Sequence, residues 1–546
     1  MILILLSTLF LIPALIGLGK AVESFSGSLF GGIAGKISTG ILAISLIWTI
    51  LAFFIPLNIY VEIPTVLLGL IFFFKDKLYR EFYQFSKKEN SLILILSLII
   101  LFCGSFYPYI LDHFGYYVPT IKWLTEFGLI KGVSNLDLTL GQMSIWHIFQ
   151  AGFSNFSDPF LRMNSILLIV YTLYIVEKKT WIHICFIPVL LLFSQSPSPD
   201  LPVIVFSVMI LNEILQENKQ TSLLFVFSAF VFAIKPTMIW LPILSFLYSI
   251  FIVKSNFKYL LPGILIILLF FIKNIYTFGY PVFPVSIGYL GINWKPNPEI
   301  LETSSQFAIQ KTYDMQYSYL EIQEFSGFDY IKNWFFLDGI KSKINIFFVA
   351  SLIIFIVFSC IKRNKIVSLI CVSIIIKSIL VFLFSAQYRF FIDVFFVIFF
   401  VIFINYFNLK KSIITFSVLS IIFITFFTFP NIIQTYLPSF RLGNFMGKFE
   451  TKQLYKPSVY HYNNFNSFKI GNLQFNVSKK YPYNFETQLP AISESYISED
   501  LKAGIFPQLI DEKNIKKGFI WKKLNQKEKN KVKNIINSIN NSYKQK

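Results

Sequence analysis

Asp112 and His113 follow directly on an apolar run near residues 91–110, and an aromatic segment reaching to about Gly132 comes next. An acid placed where a membrane helix leaves the bilayer is costly unless something uses it. Asp112 can act as a general base, or as a group that binds a metal or an acceptor hydroxyl. The plainer alternative is an interfacial acid that marks the end of a helix. His113 joins the candidate substrate-binding residues through its place beside Asp112, although a structural hydrogen bond is the more economical role for it. Asp200 follows Ser-Pro-Ser-Pro and opens another apolar run. It is either a second carboxylate in the same cavity or an acid favoured by a helix N-terminus.

The elements that position these residues must be membrane helices. Of the 546 residues 55% are hydrophobic and 14% charged, against about 25% charged in soluble domains. The fold class expected is an all-α polytopic membrane protein with 13–14 spans. They fall near 1–19, 39–58, 60–74, 91–110, 160–176, 181–195, 200–215, 221–235, 236–253, 258–275, 344–361, 366–384, 389–407 and 412–429. The N-terminal run reads as a first membrane helix because it lacks a positive n-region. Cys103, Cys185, Cys360 and Cys371 all lie inside apolar runs without metal-ligand spacing, which argues against a disulfide framework or a zinc site. The net charge of +19 sits mostly in short loops and the tail. It therefore speaks to membrane orientation and not to nucleic acid.

The loop 75–90 carries Lys75, Lys77, Arg80, Lys87 and Lys88, which assigns it to the cytoplasm. Alternation then places Lys20, Lys36, Lys178, Lys179, Lys219, Lys254, Lys258, Lys362, Arg363, Lys365, Lys410 and Lys411 on the same side. The outer side receives the loops 111–159 and 276–343, the links at 194–200, 235–236 and 385–389, and a tail from 430 onward. Lys235 and Arg389 are the basic residues of those short outer links, so each calls for an anionic partner. A lipid phosphate suits a guanidinium well; an internal carboxylate is the alternative, with Asp393 the nearest to Arg389 in sequence. Tyr388 stands beside Arg389. Lys377, near the middle of its run, is expected to pair with Asp393, leaving Arg389 to reach the ligand.

Within the first outer loop, Val118, Ile121, Leu124 and Gly128 keep helical spacing, and Lys122 and Glu126 form an i,i+4 pair. The expected element is an interfacial helix with Tyr116, Tyr117 and Trp123 at headgroup depth. The stretch from Asn135 to Trp146 either binds a sugar or, at Trp146, joins an aromatic belt. Asn274 and Tyr276 line a cavity or anchor their helix. In the tail, Phe468, Ile470, Leu473, Phe475 and Val477 alternate as a strand or hairpin does. From about Asn525 the chain is Lys/Asn-rich, suiting a solvated helix or disorder. The organisation expected is a transmembrane domain over 1–429 and a small mixed α/β extracytoplasmic region over 430–546.

Three pieces carry a resemblance: Asp112 with HFGYYVPTIKWLTEFGLIKGVSNL, the SPSPD link, and TFGYPVFP together with SAQYRFF. They resemble a bacterial family of polytopic membrane proteins whose layout is similar to the GT-C superfamily of integral-membrane glycosyltransferases. That resemblance implies a polyprenyl-phosphate-linked sugar as donor and a glycan, lipid or protein as acceptor. It makes Asp112 the catalytic base, with Arg389 and Lys235 neutralising the departing phosphate. It also implies work at the outer face of a bacterial inner membrane, within its lipids, in cell-envelope glycan assembly. No resident cofactor is implied for certain, and a divalent metal is compatible with it. The chain departs from the pattern in two places. Many GT-C enzymes carry an acidic pair where this chain has Asp112 and His113, and the tail segment YPYNFETQLPAI lacks the cysteines of relatives. Rival readings are an O-antigen-type polymerase or ligase using outer-loop arginines, a transporter or flippase of lipid-linked or anionic substrates, and a non-catalytic envelope scaffold.

Overall fold

The computed structural model describes residues 1–288, 290–436 and 445–544. Residues 437–444 of the tail and the last two residues of the Lys/Asn-rich end lie outside the described residues. The helices are α1 (Ile2–Ser26), α2 (Gly32–Ala52), α3 (Ile59–Lys75), α4 (Lys87–Gly104), α5 (Val118–Glu126), α6 (Ile145–Phe153), α7 (Met163–Lys178), α8 (Ile187–Leu190), α9 (Asp200–Leu215), α10 (Thr221–Ile234) and α11 (Trp240–Leu247). They continue as α12 (Leu261–Phe278), α13 (Pro298–Thr312), α14 (Tyr319–Gln323), α15 (Gly327–Phe335), α16 (Ile340–Lys362), α17 (Lys365–Phe384), α18 (Tyr388–Phe403), α19 (Leu409–Thr428), α20 (Pro430–Tyr436), α21 (Glu494–Lys502) and α22 (Gln526–Lys544). The strands are β1 (Phe465–Ile470), β2 (Leu473–Ser478), β3 (Ile505–Leu509) and β4 (Phe519–Lys523), paired as two antiparallel hairpins.

Every apolar run read from the sequence is helical. Among the described residues, seven helices are long and apolar enough to cross a membrane, and the chain is a multi-pass membrane protein. Those seven are α1, α2, the stretches Pro236–Val253 and Phe257–Phe278, α16, α17 and α19. The other runs fall short in length or carry too much charge: α7, α9 and α18 have 16 residues each, and α10 has 14. At 1.5 Å per residue such helices reach only about 21–24 Å. The run near 181–195 is a chain of short helical turns from Trp181 to Phe193.

Helix ends follow their capping residues. Ser86 and Glu89 form a reciprocal capping box at the start of α4, and Asn58, Asn364 and Asn408 accept from the first turns of α3, α17 and α19. Two carboxylates, Glu62 buried and Glu177 half-buried, gather backbone amides over long range. Glu177, at the end of α7, accepts from the amides of Ile33 and Ala34 at 2.6 and 3.1 Å, holding the N-terminus of α2. Glu62 of α3 accepts from the amides of Asn155, Phe156 and Ser157 at 3.1, 3.0 and 2.5 Å. Gly17 of α1 meets Gly69 of α3 so closely that a Cβ on Gly17 would collide with the Gly69 carbonyl oxygen.

The tail and the first long loop form one body. Trp123, Ile130, Val133 and Leu136 share a core with Ile470, Phe475, Phe506 and Phe519. The tail amides of Ser458, Phe485 and Phe519 donate to the oxygens of Ser105, Phe114 and Lys131 at 2.9, 3.1 and 2.9 Å. Lys122 Nζ donates to the oxygens of Glu486 and Thr487 at 2.9 and 3.1 Å and lies 3.8 Å from Glu126. The Arg162 guanidinium, wholly buried, donates to the carbonyls of Gly104, Phe160 and Ser458 at 2.7, 2.7 and 2.9 Å. It ties the end of α4 to the start of α7 and to the tail.

This docking changes the expected place of several aromatics. Trp123, expected to face the headgroups, is buried against Phe127 and Phe519. Trp146 is also buried, its Nε1 donating to Asn164 Oδ1 at 2.9 Å. Asn274 is occupied by the Pro281 carbonyl at 2.8 Å. The alternating segment forms the β1–β2 hairpin, with Phe468 opposite Phe475.

Asp137 sits in the joint between loop and tail, where its carboxylate accepts from Thr139 N at 2.9 Å and from Asn484 Nδ2 at 3.2 Å. Burial outweighs these bonds and pushes its carboxyl up to about 6. The fold therefore holds this proton more tightly than the unfolded chain does. The resulting stability is full below about pH 4, falls as pH rises to about 6, and is level above that. Asn484 Oδ1 is buried and unpartnered, so it could accept from an amide at position 137. Asp137→Asn should lack this pH slope and, near neutrality, stabilise the tail by on the order of 2 kcal/mol. Hydrogen exchange of the tail amides between pH 4 and 7 measures both effects.

Candidate functional site

The chain leaves α4 at Gly104 and re-enters helical geometry through one π-turn, His113–Tyr117, which runs into α5. Asp112 stands at the head of that turn. π-Turns inside helices are frequent at functional sites. Facing it, the Ser385–Gln387 link delivers Tyr388 and Arg389 as the first two residues of α18. Arg389 Nη1 lies 3.3 Å from Asp112 Oδ2, and both side chains are a little over one-third exposed, at 39% and 37%.

A second ion pair abuts the first. Lys235, between α10 and α11, binds Asp200 at the start of α9, and its Nζ also lies 3.4 Å from the Arg389 carbonyl oxygen. Ser198 Oγ donates to the other Asp200 oxygen at 3.0 Å. Asp112, Arg389, Lys235 and Asp200 thus form one continuous chain. Of the residues singled out from the sequence, His113 stands apart. It is 1% exposed, and its Nδ1 lies 3.1 Å from Ser196 Oγ. Burial, reinforced by the Arg162 charge, pushes its imidazole well below the usual histidine range, so it is neutral.

Asp112, Tyr388 and Arg389 line a cavity of about 250 Å³, and Lys311, Asp314 and Lys341 line it from the second long loop and the start of α16. Asp200 and Lys235 adjoin this cavity without lining it. Lys341 binds Asp314 and sits over the Tyr388 ring, 5.4 Å from its centroid. Among the described residues, no carboxylate lies within ion-pairing distance of Lys311. Burial first, and then the Arg389 charge, lowers the Lys311 ammonium from the ordinary lysine value. Three cations against two carboxylates leave the lining with one positive charge in excess. An anion that also offers a hydroxyl to Asp112 would complement it.

Lys311, Asp314 and Lys341 were not legible beforehand. They lie in a long loop, where orientation statistics give basic residues no special meaning, and only the fold folds them over Arg389. Deeper in the bundle, Lys377 binds Asp393, whose second oxygen accepts from Trp240 Nε1 at 3.0 Å. Arg389 turns to Asp112 and leaves Asp393, its nearest acid in sequence, to Lys377. No group of three or more His, Cys, Asp or Glu residues among the described residues could hold a metal ion. The cavity carboxylates already face cations, so this donor set does not fit a resident divalent metal.

Residues 1–396 match a family described as "Domain of unknown function (DUF8201)". The chain belongs to that family. The matched stretch contains every residue of the charged chain and the cavity, together with Lys377 and Asp393, and it ends before α19 and the tail. No curated protein and no solved structure matches the chain.

The two kinds of ion pair should respond differently to mutation. Arg389 and Asp112 are partly solvated, and such pairs contribute at most about 1 kcal/mol. Lys377 and Asp393 are buried, and removing one partner of such a pair costs about 3–5 kcal/mol. Asp112→Asn and Arg389→Gln should therefore unfold near the wild-type midpoint in detergent, whereas Asp393→Asn should unfold well below it.

Proposed function

We propose that the protein is a membrane glycosyltransferase of GT-C type that takes sugar from a polyprenyl-phosphate donor at the extracytoplasmic face. The observation that carries this reading is a carboxylate at a helix exit facing a net-positive cavity, with Asp112 3.3 Å from Arg389. Asp112 would accept the proton of an acceptor hydroxyl as that oxygen attacks the anomeric carbon. The bond from that carbon to the phosphate oxygen breaks, and polyprenyl phosphate leaves. Arg389 and Lys311, which line the cavity, would neutralise the negative charge that grows on the leaving phosphate. Lys235 acts behind them, holding Asp200 and the Arg389 carbonyl. The acceptor would be a glycan, lipid or protein of the cell envelope.

The same proposal includes 13–14 crossings of a bacterial inner membrane, with the tail outside. The short helices α7, α9 and α10 are buried along most of their length inside the bundle, so neighbours and tilt can make up their reach. The N-terminal amine donates to the Gln453 carbonyl oxygen at 2.6 Å, which puts the start of α1 at the tail's end of the bundle. Pairs such as Lys36–Glu81 and Lys178–Glu213 join helix ends in the loops assigned to the cytoplasm. Lys377, the intramembrane charge that a transporter reading would use, is bound to Asp393.

Asp112→Asn should cut transfer from radiolabelled polyprenyl-phosphate sugars by a factor of about 100 or more while leaving membrane levels normal. Undiminished transfer by that variant would remove Asp112 from the chemistry.

A further inference from the structure

Two short helices of the second long loop, α14 and α15, and the residue that ends α15 carry large apolar side chains that no described residue covers. Leu320, Phe328 and Phe336 are each 72% exposed, and Ile331 is 58% exposed. Phe328 and Ile331, at i and i+3, form an exposed apolar stripe along α15, and Phe336 follows at its end. The helix is fastened to the protein through Trp334. Trp334 is buried among Phe335, Phe382 and Phe391, its Nε1 donates to the Ala386 carbonyl oxygen at 2.9 Å, and its own carbonyl accepts from Asn345 Nδ2 at 2.9 Å. The helix is thus held rigidly with its stripe facing out.

What covers the stripe follows from what adjoins it. Helix α15 ends five residues before α16 begins, and α16 is one of the seven membrane-length helices. Its exposed Phe347, Ile354, Val357 and Ile361 lie on one apolar face. Lys332 of α15 and Lys343 of α16 can lay their stems on apolar surface and raise their charges to water. An apolar stripe of this size facing water would be unusual; beside a membrane-length helix, it has the form of an interfacial helix.

We infer that the apolar face of α14 and α15 is seated in the lipid leaflet, making one rim of the charged cavity a lipid-contacting surface. Two residues tie this rim to the cavity. Leu337 lines the cavity just beyond α15, and Ala386, which holds Trp334, lines it beside Tyr388 and Arg389. In combination with the glycosyl-transfer reading, on which only this last step rests, the isoprenoid chain of a donor could stay in lipid while its phosphate meets Lys311 and Arg389.

The test is spin labelling of the full chain in phospholipid nanodiscs. Cys360 is the exposed native cysteine among the described residues and is changed to Ser; the other three are buried. Labels are placed singly at Phe328→Cys, Ile331→Cys and Phe336→Cys. Phe347→Cys provides a lipid reference and Lys513→Cys a water reference, and each variant's unfolding midpoint in detergent shows that it is folded. Collisions with oxygen should exceed those with a water-soluble nickel complex at the three rim positions, as at Phe347. Nickel-dominated collisions, as at Lys513, would mean the stripe faces water; low accessibility to both would mean protein covers it. Either result overturns the inference. The readout is independent of activity, so it can fail while glycosyl transfer stands, and the reverse.

Discussion

A charge withdrawn from water inside an apolar bundle must find a partner, and that constraint organises this protein from one end to the other. Glu62 and Glu177 are satisfied by backbone amides, Arg162 by backbone carbonyls, and Lys377 by Asp393. The bonds of Glu62 and Glu177, and those of Arg162 to Gly104 and Ser458, join segments far apart in sequence. The helices are therefore located by a few polar joints as much as by their apolar faces, which lipid would solvate equally well.

Against that background the Asp112 cluster differs in kind. Its ion pairs lie at helix ends, remain partly solvated and border an open cavity. Groups in such a place can change partners at small cost, as a ligand-binding site requires. Arg162 and the tail contacts at Ser105 and Phe114 hold the backbone on both sides of Asp112. The tail lies outside the matched family region yet buttresses the turn from which the acid projects.

Much of this was legible from residue order, for specific reasons. Apolar runs announce themselves because the bilayer demands length and apolarity; they came out helical, and seven helices among the described residues are long and apolar enough to cross a membrane. The β1–β2 hairpin showed through its alternation, and Lys377 could be matched to Asp393 because an acid and a base at membrane depth have few other options. The failures were of another sort. Trp123 and Trp146 look like belt residues in isolation, because nothing in their spacing reveals that the tail or a neighbouring helix will cover them. The β3–β4 hairpin left no expectation: a proline in β3 and consecutive lysines in β4 blur its alternation. Arg389 pairs with an acid 277 positions away instead of one four residues on, and Lys311 meets the cavity only through the path of a long loop. Partners distant in sequence carry no local signature.

The central claim is that this cavity binds a phosphate carried by an isoprenoid, and its most direct measurement is binding of farnesyl phosphate to the purified protein in nanodiscs. The account predicts saturable binding that Arg389→Gln and Lys311→Gln each weaken by about tenfold or more, or about 1.4 kcal/mol, with farnesol binding unaffected. Equal affinity in wild type and both variants would contradict it.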